Sequence, residues 1–213
     1  MHDDWVTSVK DERDPGTGRA PGRPLSPELS DQLVSVAVDI LAEEGWGRLN
    51  SDRVAARARA GKAGIYRRWP TMAALARHAL SGFDLVNAPR DTGSLRGDLI
   101  ALLQPWTSPL TREERAAASV VGAARHDEEL RAGLDAAVVQ PLVAVAHTLA
   151  GRAAERGQEL APQRVALLGT LLQALWWDRY SAFAVPIRRT EVERLVDDAL
   201  LPVIEPETRR PVG

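Results

Sequence analysis

Apolar residues recur at helical spacing along nearly the whole chain, and that pattern alone removes most folds from consideration. Leu33, Val36, Ala37, Ile40 and Leu41 follow the i, i+3, i+4, i+7, i+8 rule of an amphipathic helix. Ser26-Pro27 ahead of them is a helix start, with Ser as N-cap and Pro in the first turn, and Gly45 marks the end. From about Ser94 onward the candidate helices are 94–104, 111–126, 127–156, 162–184 and 190–201, and none alternates with period two. Pro141 should kink or break the third of these. The expected fold class is therefore all-α.

Helix 162–184 carries two apolar stripes. Val165, Leu168, Leu172 and Leu175 make one, and Leu167, Leu171 and Ala174 make the other. A helix apolar on more than one face must be covered on two sides. In a body this small a second subunit is the expected cover. The single stripe of helix 190–201 (Val192, Leu195, Val196, Ala199, Leu200) could pair with it. Two helices from each protomer would then form a four-helix, two-fold interface built on Leu168, Leu172, Leu175, Val192, Leu195, Val196 and Ala199. The alternative is that both helices only close the monomer's own core.

The N-terminal third is organised differently. Residues 1–25 mix Pro, Gly and charge without periodicity and read as a disordered arm. Gly16 and Gly18 do not make a dinucleotide fingerprint, because no strand precedes them and no third glycine falls in place. After the first helix, Asn50 can cap a short second one carrying Val54, Ala55 and Ala58. A break at Arg59–Gly61 leads to a third, Lys62 to Arg68, and Pro70-Thr71 starts a fourth that buries Leu75, Ala79 and Phe83. The third is the most basic. Between Arg19 and His78 ten Lys/Arg face six Asp/Glu, a local charge of +4 in a chain whose net charge is −2. A basic head on a mildly acidic body fits a nucleic-acid binder, and this helix order is that of a helix-turn-helix head. The expected organisation is an arm (1–25), a head (26–84), a helical body (94–204) and a flexible tail (205–213).

Several functions are disfavoured. There is no cysteine, so disulfides and thiolate chemistry are absent. The four histidines (2, 78, 126, 147) show no paired ligand spacing, and neither a metal nor a cofactor is expected. No GxSxG, P-loop or HExxH occurs, which argues against an enzyme. The N-terminus is acidic and lacks an apolar signal segment, and no uninterrupted apolar run nears a membrane span of about 20 residues, so a cytoplasmic protein without membrane contact is expected.

Six tryptophans punctuate the chain. Trp46 and Trp69 belong to the head. Trp106, Trp176, Trp177 and Tyr180, with Gln173, His147 and Phe183 as neighbours, are candidates for an aromatic ligand pocket. Packing across a subunit interface is the competing role.

The run RVAARARAGKAGIYRRWPTMAALARHAL (53–80) closely resembles the DNA-binding region of TetR-family bacterial transcription regulators. The similarity covers about 19–82, including Gly22-Arg23-Pro24, and its most specific string is Ile65-Tyr66-Arg67-Arg68-Trp69-Pro70. The body resembles the family in layout. The resemblance implies a homodimer with two recognition helices one DNA turn apart on a palindromic double-stranded operator, and a body pocket for a small-molecule effector. It is most often the signature of a repressor. It assigns phosphate contacts to Lys62 and Tyr66, and phosphate or base contacts to Arg67 with its neighbours Arg68 and Thr71. Arg19 and Arg23 would follow the backbone or enter the minor groove, while Ile65 and Trp69 anchor the helix inward.

This chain departs from the family's pattern at four places. Arg59 stands where Gly is usual, at a position that often needs a positive φ. Gly61 and Gly64 replace hydroxyl residues that cap the recognition helix or bind phosphate, and Met72 replaces a Lys. Two expectations follow: Arg59 supplies a compensating phosphate contact, or the chain is a helical ligand-binding dimer with a weakened head.

Overall fold

The computed structural model describes residues 26–181 and 185–204; Arg19, Arg23, Phe183 and the 205–213 tail lie outside the described residues. Eleven α-helices and no strand occur among the described residues. In the head, α1 (Pro27–Glu44) begins at Ser26, whose side chain accepts from the Leu29 amide, and ends at Gly45 with φ +83°. α2 (Ser51–Ala58) is capped by Asn50, α3 is Lys62–Tyr66, and α4 (Met72–Ser81) is capped by Thr71.

In the body, α5 (Leu95–Leu103) is capped by Ser94, and α6 (Arg112–Val120) opens on a reciprocal Thr111/Glu114 capping box. α7 (Glu128–Leu134) runs through a π turn at Asp135–Val139 into α8 (Gln140–Glu155). α9 (Pro162–Arg179) follows, then α10 (Arg189–Arg194), a second π turn (Leu195–Leu200) and α11 (Leu201–Ile204). The expected break at Pro141 is not seen. The π turn just before it changes the hydrogen-bond register, so the missing proline N–H does not end the helix. Pro202 is accommodated after the second π turn in the same manner.

Across its π turn, Glu128–Glu155 forms a helix of 28 residues containing an 18-residue window of mean hydropathy 1.4, long and apolar enough to cross a membrane by length and composition. The length agrees with the helix expected over 127–156. Here its inward positions are occupied by packing against α4, α5 and α9.

Head and body meet along two seams. α1 packs on α6 as well as on α2 and α4, which buries Val38 beside the expected stripe. Arg112 at the start of α6 fixes this seam, donating to Asp39 at 2.6 Å and to the Ser35 carbonyl at 2.8 Å. The second seam joins α4 to α7 and needs a glycine. A Cβ on Gly133 would lie 2.9 Å from Leu80 Cδ1 and 3.1 Å from the Arg77 Cα.

The interface expected from helices 162–184 and 190–201 requires correction. Leu168, Leu172, Val192 and Val196 are fully buried within the single chain, where α9 packs on α8 and α11. They close the protomer's own core and have no surface left to offer a partner. Leu175 and Leu195 are half-buried and Ala199 is exposed.

Three buried charged side chains, Asp98, Glu114 and Arg179, organise the body. Asp98 accepts from the Thr92 amide and hydroxyl at 2.7 Å, with Arg156 at 3.4 Å. Arg179 Nε donates to Glu114 Oε1 at 3.1 Å, and its guanidinium lies 5.8 Å from the Trp106 ring centroid. Removing one partner of a buried pair strands the other charge and costs about 3–5 kcal/mol. Glu114→Ala also removes half of the capping box. Thermal unfolding followed by circular dichroism should show the melting temperature fall by roughly 6–20 °C at about 2–4 °C per kcal/mol; an unchanged value would remove the pair from its organising role.

Candidate nucleic-acid interface and effector cavities

The turn between α2 and α3 is set by backbone chemistry. Arg59 adopts the left-handed conformation at φ +49°, the only described residue other than glycine with positive φ. Its amide bonds the Ala56 carbonyl while the Ala60 amide reaches Ala55 at 3.0 Å, a Schellman closure of α2. Gly61 then N-caps α3 without a side-chain bond. Ile65 is wholly buried and Trp69 nearly so, with the Trp69 ring 5.5 Å from His78 of α4. These two anchors orient α3 as the sequence implied.

Lys62 and Tyr66, one turn apart, both reach the first turn of α2. Lys62 pairs with Asp52, whose hydrogen bond and then charge hold its ammonium above the usual lysine range. Tyr66, 49% exposed, donates its hydroxyl to Ser51 Oγ at 3.1 Å. Ser51 thus joins this face unanticipated; its place just after the Asn50 cap was the available signal. Arg53 and Arg57 are paired with Glu43 and Glu44. Arg48, Arg59 and Arg67 are exposed, and no carboxylate among the described residues pairs with them.

Arg68 differs from its neighbour Arg67. Its Nε donates to Ser30 Oγ at 2.7 Å, Nη1 to the Gly64 carbonyl at 2.9 Å and Nη2 to the Ser26 carbonyl at 3.1 Å. It fastens α3 to the first turn of α1 and does not stand free toward solvent. Thr71 Oγ1 is engaged as the α4 cap, accepting from Ala74 at 3.0 Å. Met72 is half-buried against the head's core.

The six expected pocket residues do not form one group. Trp106, Trp176 and Tyr180 are buried and stack edge to face, with centroids 5.7 Å apart for Trp106–Trp176 and for Trp176–Tyr180. Trp106 Nε1, Trp176 Nε1 and Tyr180 Oη have no hydrogen-bond partner in the structure. Burial, reinforced by the Glu114 carboxylate, pushes the Tyr180 phenol far above its ordinary range. Trp176 and Glu114 line a cavity of about 310 Å³ whose opposite wall is the linker between head and body, Asp84 to Pro89. Trp106, Leu175, Arg179 and Leu195 line a second cavity of about 590 Å³. Gln173 and Trp177 lie elsewhere, in a groove of about 620 Å³ against α7. His147 is exposed on α8, because Val145, Ala146 and Leu149 take the inward positions of that helix, and it joins none of these cavities.

A short helix-turn-helix with exposed cations, seated on a helical body with open cavities, is the architecture of a DNA-binding regulator. Residues 33–79 match the family described as bacterial regulatory proteins, tetR family, and residues 89–199 match the tetracyclin repressor-like C-terminal domain. The chain is 32% identical to the DNA-binding transcriptional repressor TetR of Mycobacteroides abscessus, over 84% of this chain and 96% of that one. It is 29% identical to the uncharacterized HTH-type regulator Rv1556 of Mycobacterium tuberculosis, over 87% and 92%. The crystal structure of the TetR family transcription regulator SCO0332 superposes with TM-score 0.58 at 27% identity, covering 84% of this chain and all of that one. The chain belongs to the TetR family of transcription regulators.

Arg59 connects stability with binding. A residue bearing Cβ in the left-handed region costs about 1–2 kcal/mol relative to glycine. Arg59→Gly should therefore raise the melting temperature. If Arg59 meets a phosphate, the same substitution should flatten the salt dependence of DNA affinity by about 0.9 in log–log slope. Paired melting and salt-titration measurements check both outcomes; an unchanged slope would remove Arg59 from the interface.

Proposed function

We propose that the protein is a homodimeric, cytoplasmic repressor that leaves its operator when a small neutral molecule enters the Trp106–Trp176–Tyr180 region. Repression is the printed role of the Mycobacteroides relative. Lys62, Tyr66, Arg67 and Arg59 form the operator face, with Arg19 and Arg23 of the arm reaching the adjacent groove. Lys62 exchanges its exposed Asp52 partner for phosphate at little cost, since surface pairs contribute only about 0–1 kcal/mol. The stripe left open on α9, Leu167, Thr170, Leu171 and Ala174, is the two-fold contact.

The observation that carries ligand control is the set of three buried polar atoms without partners in one aromatic cluster, whose Trp176 lines the cavity walled by the head–body linker and whose Trp106 lines the second cavity. Indole N–H groups only donate. The charge in this region is already balanced by Glu114 and Arg179. A neutral, apolar molecule bearing a hydrogen-bond acceptor is the complementary ligand.

Fluorescence anisotropy on DNA from upstream of the protein's own gene, against a scrambled duplex at two salt concentrations, tests the operator half. Tight, sequence-preferring, salt-sensitive binding that Arg67→Ala weakens is expected. Equal weak binding to both duplexes would favour the weakened-head reading, for which uncapped Gly61 and half-buried Met72 are the specific grounds.

Tyr180→Phe tests the aromatic cluster. It deletes an unsatisfied buried hydroxyl, so the ligand-free protein should gain about 1–3 kcal/mol at neutral pH. The folded state holds the Tyr180 proton more tightly than the unfolded chain does. That contribution is fully present below the unfolded pKa of about 10 and is lost as pH rises beyond it. Denaturant titrations should show the wild-type loss above pH ~10 flattened in the variant; identical profiles would mean that folding does not hold the phenol proton more tightly.

A further inference from the structure

The groove against α7 has a chemistry of its own. Val121, Ala124, Leu134, Val139 and Trp177 give it apolar walls, and Arg125 and Arg131 stand at its edge. Both arginines are exposed, and no carboxylate among the described residues pairs with either. Of the acids nearest in sequence, Asp127 and Glu129 are engaged elsewhere, Glu128 is exposed, and Asp135 belongs to the groove itself. Asp127 caps α7 by accepting from the Leu130 amide at 3.2 Å, Glu129 holds Arg77 at 2.9 Å, and Asp135 accepts from Gln140 at 3.2 Å. A π turn forms part of the wall, through Asp135 and Val139; such turns recur at functional sites. The volume of about 620 Å³ lies within the range of small-molecule sites.

We infer that this groove is a second ligand site, taking an amphipathic monoanion whose carboxylate meets Arg125 and Arg131 and whose hydrocarbon lies on Leu134, Val139 and Trp177. Its position gives it a route to the head. Gly133 lies between Arg131 and Leu134 in the sequence and packs directly on the α4 backbone at Arg77. An occupant that draws Arg131 and Leu134 inward therefore shifts α7 against α4. This regulatory half rests on the ligand-controlled reading above; the binding half does not.

Isothermal titration of the full chain with octanoate and with 1-octanol tests the binding half without DNA. One octanoate per chain is expected, bound at least about tenfold more tightly than the alcohol, since charge-assisted bonds contribute about 1.5–3 kcal/mol each. The double variant Arg125→Ala/Arg131→Ala changes only exposed side chains and should lose that preference, while Trp177→Phe should lose the fluorescence change on binding. Equal affinity for acid and alcohol, or full octanoate affinity in the double variant, would overturn the site. Octanoate binding lost in Tyr180→Phe but kept in the double variant would place the anion in the inner cavity and overturn the groove, leaving ligand control intact. A double variant of reduced oligomeric mass with unaltered octanoate affinity would make the groove a subunit seam, again overturning it. Octanoate bound as expected but without effect on operator affinity would overturn the regulatory half alone.

Discussion

The salt bridge between Arg179 and Glu114 sets the geometry on which the rest of the body depends. Burying either charge alone would cost several kcal/mol. Both are tolerated because each has several partners. Glu114 closes the capping box of α6 while neutralising Arg179, and Arg179 also approaches the carbonyls of Pro105, Trp106 and Ser108 at 3.4–3.5 Å. One guanidinium thereby joins the end of α9, the start of α6 and the turn that carries Trp106. The aromatic cluster is positioned by that joint. Because the joint is electrically balanced, the cluster's remaining demand is for hydrogen-bond acceptors and not for charge.

From the same capping box the contacts continue toward the operator face. Arg112, two residues before Glu114, grips α1 at Ser35 and Asp39. The first turn of α1 is gripped in turn by Arg68 from α3. Ile65 and Trp69 lock α3 into the head's core. On the other side, the linker 84–89 walls the inner cavity and Gly133 seats α7 on α4. Close-packed interfaces of this kind switch between discrete arrangements and do not deform smoothly. The linker cavity thus lies against the start of α6, which carries the first seam, through Thr111 and Glu114.

How much of this was legible in the sequence depended on how local each cause was. The α1 stripe, the caps at Ser26, Asn50 and Thr71, and the Ile65/Trp69 anchors all follow from spacing and short-range chemistry. Val38 lies beside the α1 stripe, and its burial waits on α6, some 75 residues away in sequence. The two stripes of α9 were visible, but periodicity does not say which stripe meets the protomer's own core, and Leu168 and Leu172 were assigned outward when they face inward. Arg67 and Arg68 are indistinguishable by type. Their different environments are decided by Ser26 and Ser30, 42 and 38 positions from Arg68. Likewise Trp176 and Trp177 are adjacent on α9, and a rotation of about 100° sends one into the cluster and the other to the α7 groove.

The four departures from the family pattern look less like decay once Arg68 is taken into account. A hydroxyl cap at Gly61 would satisfy amides at the start of α3, and replacing serine by glycine at an N-cap loses only a few tenths of a kcal/mol. Gly64 costs more, roughly 1 kcal/mol relative to Ala within a helix. Against these losses stand a buried Ile65, a nearly buried Trp69 and three hydrogen bonds from Arg68, one of which ends on the Gly64 carbonyl itself. The recognition helix is thus held by a tertiary clamp to α1 where a local cap is missing. The same exchange explains the distribution of cations. Arg68 is committed to the clamp and Met72 to packing, which leaves Arg59, Lys62 and Arg67 with Tyr66 as the outward charged and hydrogen-bonding set around α3, beside the exposed Arg48. The left-handed Arg59 fits this account, since its strain is confined to the turn where a cation gains the most outward reach.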